Sequence, residues 1–244
     1  MSDSSLQRDK AAETYTSNYL KTKGILYSSI ELSFFLDYTN ADFDVADIGC
    51  GTGRLTIPLS KNCRSVVASD FSQKSLENLA QQIEKSKINN IKLSVLDIEK
   101  SPEGVKTLGK FDSVFSCQVF QHIEKEKNIN IFKRIKDILT EDGLLIFSVY
   151  NYSSGRYGRK KKIYRDNVLF ERYTVKELKE ILGKTGYEVK AIKGIVIFPL
   201  YRYLNKCVNL FGWLFHLERF ISNRLPFFSI YLGRYLFVVA TVKK

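Results

Sequence analysis

The chain has little of what a metal-held, disulfide-stapled or membrane-spanning protein needs. Its 244 residues include two histidines, His122 and His216, and four cysteines, Cys50, Cys63, Cys117 and Cys207. No two cysteines form a C-x-x-C pair, and neither histidine falls at a zinc-ligand spacing from them, which argues against a structural metal. Reduced, mostly buried thiols of a cytoplasmic protein are expected instead. No run reaches the roughly 18 consecutive apolar residues of a spanning helix. The opening Met1–Ser5 lacks the basic-then-apolar order of a secretion leader. The expectation is a cytoplasmic protein, at most seated on a membrane surface. Acidic residues are also short: 26 against 38 Lys and Arg, a net charge of +12. Such a surplus favours nucleic acid, acidic lipid headgroups or a phosphorylated substrate, unless it is only a solvated lysine-rich surface.

What is present is an alternation. Residues 5–20 and 26–38 carry helix-like patterns, the second with Leu26, Ile30, Leu32, Phe35 and Leu36 on an apolar face. Val45–Ile48 is a short apolar run entering a glycine cluster and reads as a buried strand. Arg54–Ser60 continues as a helix, with Pro58 in or near its first turn, where proline is tolerated. Ser65–Ser69 is a second strand, and Ser72 is placed to cap a helix running to about Lys85. Ile91–Val95, Ser113–Ser116 and Leu144–Tyr150 read as strands, with a turn at Glu141–Gly143. Ile131, Phe132, Ile135, Ile138 and Leu139 recur at helical spacing. Thr174 and Glu177 form a capping box for a helix through Leu182, and Val189–Ile197 and Tyr235–Val242 are the last strands. Strands alternating with helices imply a doubly wound α/β fold, a parallel sheet covered on both faces. There is no internal repeat, low-complexity tract or linker that would justify a second domain.

The informative segment is Asp47-Ile48-Gly49-Cys50-Gly51-Thr52-Gly53. A glycine-rich turn between a buried strand and a helix lets backbone approach a ligand and aims N–H groups at its polar end. The nicotinamide fingerprint G-x-G-x-x-G fails, because its third glycine would fall at Arg54 or at Thr56. A phosphate loop of the Walker type fails too, for want of a Gly-Lys-Ser/Thr ending. Asp70 ends the second strand, 21 residues after Gly49, and Asp97 ends the third. Both stand where open α/β sheets bind ligands.

This segment closely resembles motif I of class I S-adenosylmethionine-dependent methyltransferases, and the likeness extends over residues 40–197 and the last strand. Phe111–Gln118 and Leu139–Phe147 are similar to the fourth- and fifth-strand motifs. Arg172–Leu178 with Gly186–Val189 resembles the branch that includes quinone-biosynthesis enzymes. The resemblance implies a seven-stranded, mostly parallel sheet with an antiparallel last strand. It implies S-adenosyl-L-methionine as cofactor and no metal. Asp47 and Gly49, Gly51 and Gly53 would surround its methionine part, aided by backbone near Gln118. Asp70 would accept from the ribose hydroxyls, and Phe71 would lie beside the adenine. Asp97 would accept from the adenine amino group, while the Ile98 N–H meets a ring nitrogen. Asp112 reads as structural, on the opposite edge. His122 occupies a position that faces the active-site mouth in related enzymes and is the candidate general base, its ordinary pKa near 6.5 suiting proton removal. The alternative is that it packs beside the cofactor. Tyr15 and Tyr19 are candidates to close over the site from the N-terminal helix, unless they are packing residues.

On this likeness residues 1–40 would be N-terminal helices and lid, 41–150 the cofactor half and 151–244 the substrate half. Two segments depart from the common pattern. Residues 154–165 carry six cations among twelve residues, a set suited to phosphate or an acidic headgroup, or a solvated loop. Residues 199–233 place Leu200, Leu204, Val208, Phe211 and Phe215 at helical spacing, joined by Trp213, Phe220, Phe227, Phe228 and Tyr231. An extra helical layer, a peripheral membrane contact, a greasy acceptor site or a homodimer contact would each suit them. The expected reaction is methyl transfer to a small or amphipathic acceptor such as a lipid, quinone precursor or glycan intermediate. RNA is the alternative acceptor, and a non-catalytic partner protein of the same fold the third reading.

Overall fold

Five parallel strands set the frame. The computed structural model describes residues 25–157, 160–165, 168–198 and 212–244. β1 (Asp44–Ile48), β2 (Ser65–Asp70), β3 (Ile91–Val95), β4 (Phe111–Cys117) and β5 (Leu139–Asn151) lie in the order β3-β2-β1-β4-β5, all parallel. The chain steps outward on one side through β2 and β3 and on the other through β4 and β5. Strand order therefore reverses between β1 and β4, and the crevice at that reversal is where such sheets take ligands. β9 (Tyr235–Val242) runs antiparallel to β5, and β8 (Tyr187–Ile195) antiparallel to β9. β1, β4 and β9 are almost wholly buried, which accounts for their near-continuous apolar runs.

The sheet has nine strands among the described residues rather than the seven expected. The additional pair, β6 (Lys162–Arg165) and β7 (Val168–Tyr173), is an antiparallel hairpin held to the carboxyl end of β5 through Tyr150 and Asn151. Cations hide its alternation: Leu169, Glu171 and Tyr173 point inward with polar or half-buried residues between. The turn expected at Glu141–Gly143 is a bulge inside β5, where the register jumps from Phe111 opposite Leu139 to Ser113 opposite Leu144. β8 stops at Ile195 rather than Ile197 because Val196 takes φ +58°, a conformation that a β-branched residue rarely adopts.

Helices cover both faces. α1 (Ile25–Leu36) lays Ile30, Phe34 and Phe35 against Phe115 and Phe237. The other face is covered by α4 (Lys125–Ile138), through Ile131, Phe132, Ile135 and Ile138, and by α5 (Val175–Lys184), through Leu178 and Leu182. Between them come the short α2 (Thr56–Ser60) and α3 (Gln73–Lys85), whose Leu76 and Leu79 pack on Ala68. Ser72 caps α3, accepting from the Ser75 N–H at 3.1 Å, and Thr174 with Glu177 forms the capping box of α5. α6 (Gly212–Arg224) and α7 (Pro226–Leu232) break at Pro226, which can open a helix but not continue one. No described helix is long and apolar enough to cross a membrane. Tyr15, Tyr19 and the stretch from Leu200 to Phe211 lie outside the described residues, as does Cys207.

Candidate active site

The parallel registers bring the carboxyl ends of β1, β2, β3 and β4 to one edge, and backbone hydrogen bonds then tie the loops there together. Gly49 and Cys50 both donate to the Ser69 carbonyl, at 2.7 and 3.0 Å, so the glycine turn is fastened to the end of β2. Leu96 donates to the Asp70 carbonyl at 2.9 Å, which places Asp97 beside Asp70. The turn needs glycine for two different reasons. At Gly49, with φ +73°, an added Cβ would lie 2.3 Å from Val119 at the mouth of β4. At Gly51, with φ +54°, no described residue beyond its two chain neighbours comes within 4 Å of the position a Cβ would take. The first glycine admits the neighbouring strand; the second leaves room for a ligand.

Asp70 is nearly buried and organises this edge. Its Oδ2 accepts from Gly51 N–H at 2.8 Å and its Oδ1 from Ser72 N–H at 2.9 Å. Asp97 is part-exposed; its Oδ1 accepts from the Glu99 and Lys100 N–H groups, both at 3.1 Å, and Lys100 lies 3.5 Å from its Oδ2. Phe71 is half-buried beside Asp70, and the Ile98 side chain is buried in the core. Asp112 sits at the other end of the sheet, accepting from Asp44 N–H at 2.9 Å.

Asp47 is almost wholly buried beneath the turn, with Thr56 Oγ1 donating to it at 2.7 Å. Burial pushes its carboxyl up to about 7. The Thr56 hydrogen bond pulls the other way, Asp70 raises it further and Arg54 lowers it. A buried carboxyl near its titration point is suited to a cationic ligand, whose approach restores the charged form.

Gln118 follows β4 with φ +61°, a left-handed conformation uncommon for a residue with a side chain. Its N–H donates to the Ser148 carbonyl at 3.1 Å, and its Nε2 donates to Glu31 Oε1. Glu31 is fully buried in α1 and pairs with Arg54 at 2.9 Å; Arg54 in turn reaches Cys117 Sγ at 2.9 Å. This buried pair locks α1 to the end of the glycine turn and to the ends of β4 and β5. The sequence reading missed it, although Glu31 is the sole charged residue in a twelve-residue apolar helix. That isolation is the signal that could have found it.

His122 closes the one-turn 3-10 helix Phe120–His122 that follows β4. Its Nδ1 lies 2.8 Å from the Leu169 carbonyl of β7. A carbonyl only accepts, so Nδ1 carries the proton and Nε2 is the acceptor nitrogen. Phe170 meets the ring edge-on at 4.8 Å, and Gln121 Nε2 stands 3.4 Å from His122 Nε2. Gln121 is itself fixed, accepting from Tyr150 N–H at 2.9 Å. The hairpin absent from the sequence reading is thus what orients the candidate base. Beyond it Tyr150 stacks with Phe170 and Tyr235 at 6.0 and 5.0 Å, and the Arg234 guanidinium lies 5.6–5.9 Å from the rings of Tyr150, Tyr157 and Tyr235. Among the described residues no group of three or more His, Cys, Asp or Glu side chains is placed to hold a metal ion.

Residues 45–143 match the family described as a methyltransferase domain. The chain is 25% identical over 203 residues to the ubiquinone biosynthesis O-methyltransferase of Rickettsia akari (strain Hartford), covering 72% of this chain and 74% of that protein. Its fold is shared with an S-adenosylmethionine-dependent methyltransferase from Clostridium acetobutylicum ATCC 824, with TM-score 0.62 at 16% identity over 95% of this chain and 99% of that one. It is shared also with the magnesium protoporphyrin IX methyltransferase of Synechocystis PCC 6803 with bound S-adenosylmethionine. There the TM-score is 0.63 at 14% identity, over 100% and 98% of the two chains. The glycine turn and the two strand-end carboxylates fall within the matched methyltransferase-domain segment, and the chain shares its fold with S-adenosylmethionine-dependent methyltransferases. By sequence it resembles the O-methyltransferases of ubiquinone biosynthesis.

Proposed function

We propose that the crevice at the strand reversal binds S-adenosylmethionine through Asp47, the Gly49–Gly53 turn, Asp70, Phe71, Asp97, Ile98 and Gln118, and that the methyl group passes to the hydroxyl of a small amphipathic acceptor. The observation that carries this is at Gly51. Its N–H is held by Asp70, its φ is positive, and no described residue beyond its chain neighbours crowds the position of a Cβ. The donor set fits the cofactor. Asp70 places a carboxylate at the strand end for vicinal hydroxyls, part-exposed Asp97 offers an acceptor to an amino group, and buried Asp47 suits a cationic amino-acid part.

When bound, the cofactor supplies a methyl group made electrophilic by its sulfonium. The protein's own work is to hold the acceptor in line, exclude water and take the acceptor's proton. His122 Nε2 is the acceptor nitrogen for that proton, and the imidazolium that forms is steadied by its Nδ1–H on the Leu169 carbonyl. Half-buried Tyr150 and Phe170, beside His122, suit an acceptor that is partly apolar. The O-methyltransferases of ubiquinone biosynthesis among the relatives support a hydroxyl as nucleophile. Against RNA, Lys161 and Lys162 of the basic segment are already engaged by Glu177, Glu124 and Glu171.

Calorimetry with S-adenosylhomocysteine tests the reading. Wild type binds, and Gly51→Ala weakens binding about a hundredfold, close to 2.7 kcal/mol, because the new methyl fills the ligand's space. His122→Ala keeps binding within about threefold while turnover with a hydroxyl acceptor falls ~10²–10⁴-fold. No heat with folded wild-type protein defeats the site, and unchanged turnover removes His122 from the reaction.

A further inference from the structure

α6 and α7 are built inside out. Leu214, Glu218 and Ser222 recur at helical spacing on the buried face of α6, and Ser229 continues that face in α7. Two of these are hydroxyls and one is a carboxylate, because what they meet is exposed backbone rather than side chains. Glu218 accepts from the N–H groups of Val196 and Ile197 where β8 ends. Ser222 donates to the Gly194 carbonyl at 2.9 Å, and Ser229 accepts from Gly194 N–H at 3.0 Å. Apart from Leu214 and Phe215, which pack on the core, most of the large apolar residues face outward. Trp213, Leu217 and Phe220 follow one another on the outer face of α6, then come Leu225, Phe227, Phe228 and Tyr231. Seven of the nine exposed large hydrophobic residues among those described fall within these nineteen positions, and Phe227 is 81% exposed. An apolar patch so concentrated marks an interaction surface.

The platform under the patch is firm. Arg219 makes a bidentate ion pair with Asp37, at 2.6 and 2.8 Å, and donates to the Ser33 carbonyl at 3.0 Å, which clamps α6 to α1. Asn151 donates to the Ile230 and Gly233 carbonyls at 2.7 and 2.9 Å, which fastens α7 to the end of β5. The patch is therefore presented on a fixed frame.

Charge decides what covers it. From residue 212 to the end of the chain the single acidic residue is Glu218, and it faces inward with no exposure. The outward surface instead carries Arg224 between the two helices. Arg156 is exposed beside Gly155, whose Cα packs so close to Tyr231 that a Cβ there would lie 2.4 Å from its ring. A second copy of this chain would bring two bodies of net charge +12 together, and the exposed acid against α6, Asp37, is already paired with Arg219. Exposed Trp, Phe and Tyr rimmed by arginine match the interface of a negatively charged bilayer, where rings enter the headgroup layer and cations meet phosphate. We propose that α6 and α7 seat the protein on the surface of an anionic membrane. The proposal is independent of which acceptor is methylated.

The chain has one tryptophan, Trp213, and it stands in the patch, so its fluorescence reports directly. Adding vesicles of phosphatidylcholine with one-quarter phosphatidylglycerol should shift its emission to shorter wavelength and carry the full chain up a flotation gradient. Pure phosphatidylcholine should do so at least tenfold more weakly, and raised salt should weaken the anionic response. The double variant Phe227→Ser with Phe228→Ser should lose about a hundredfold in vesicle affinity. Arg224→Glu, which alters charge alone, should weaken binding to anionic vesicles with the thermal midpoint unchanged. An unmoved Trp213 emission with anionic vesicles overturns the proposal, as does an equal response to neutral ones. A shift that grows with protein concentration and no vesicles, with doubled mass in sedimentation, would assign the face to a second copy instead.

Discussion

The carboxyl edge of the sheet and the helices α6 and α7 treat charge and grease in opposite ways. At the glycine turn, charged side chains go inward: Asp47, Asp70, Glu31 and most of Arg54 are buried, each with hydrogen-bonding partners. At α6 and α7, aromatic side chains go outward while a carboxylate and hydroxyls line the buried face. At Asp70 in the first region and Glu218 in the second the common cause is unpaired backbone. Wherever strands end and chain must turn, N–H and carbonyl groups need partners, and polar side chains supply them at the expense of apolar packing. In the first region the arrangement shapes the proposed cofactor crevice. In the second it turns most of the large apolar residues outward.

The sharpest way to break this comparison is to remove the buried charges. Glu31→Ala leaves Arg54 without its counterion, and we expect a loss of roughly 3–5 kcal/mol in urea unfolding; a loss under 1 kcal/mol would mean that the pair does not lock α1. Glu218→Ala should cost about 2–4 kcal/mol, since two buried N–H groups lose their acceptor at the strained Val196. An unchanged denaturation midpoint would show that this carboxylate is incidental.

Asp47 tests the electrostatics of the first region. Its pKa is raised from 3.8 to about 7, so the folded state holds a proton that the unfolded chain has released. The wild type therefore loses stability as pH rises from about 4 through 7, and above that the full cost is present. Asp47→Asn keeps the acceptor for Thr56 and removes the titration. The variant should gain roughly 1–3 kcal/mol over wild type between pH 4 and pH 8, and bind S-adenosylhomocysteine more weakly at pH 8. Parallel stability curves for the two proteins would contradict a buried, titrating Asp47. The smallest effect is expected outside: Phe227→Ser should change stability by less than about 0.5 kcal/mol, which thermal unfolding can check.

Much of the frame was legible because it rests on local rules. The apolar runs of β1, β2, β4 and β9, the cap at Ser72 and the box at Thr174 follow from residue type and spacing alone. Asp70 and Asp97 were legible as strand-end carboxylates, and the structure brings them together through the Leu96–Asp70 hydrogen bond. The hairpin 162–173 was not legible, because lysines and arginines mask its alternation and its pairing partner lies at the far end of β5. Nor was the Glu31–Arg54 pair, whose members stand 23 residues apart and meet only when α1 folds onto the sheet edge.

By itself the amino-acid sequence determined the strand–helix alternation, the glycine turn and the acids that follow strands, since each depends on neighbours within a few positions. Only the tertiary structure decided which nitrogen of His122 carries the proton, what pins α1, and that Trp213 and Phe220 of α6 face out rather than in. Helical periodicity says that two faces differ. Which face is buried depends on whether the surface beneath offers side chains to pack or backbone to satisfy, and at the end of β8 it offers backbone.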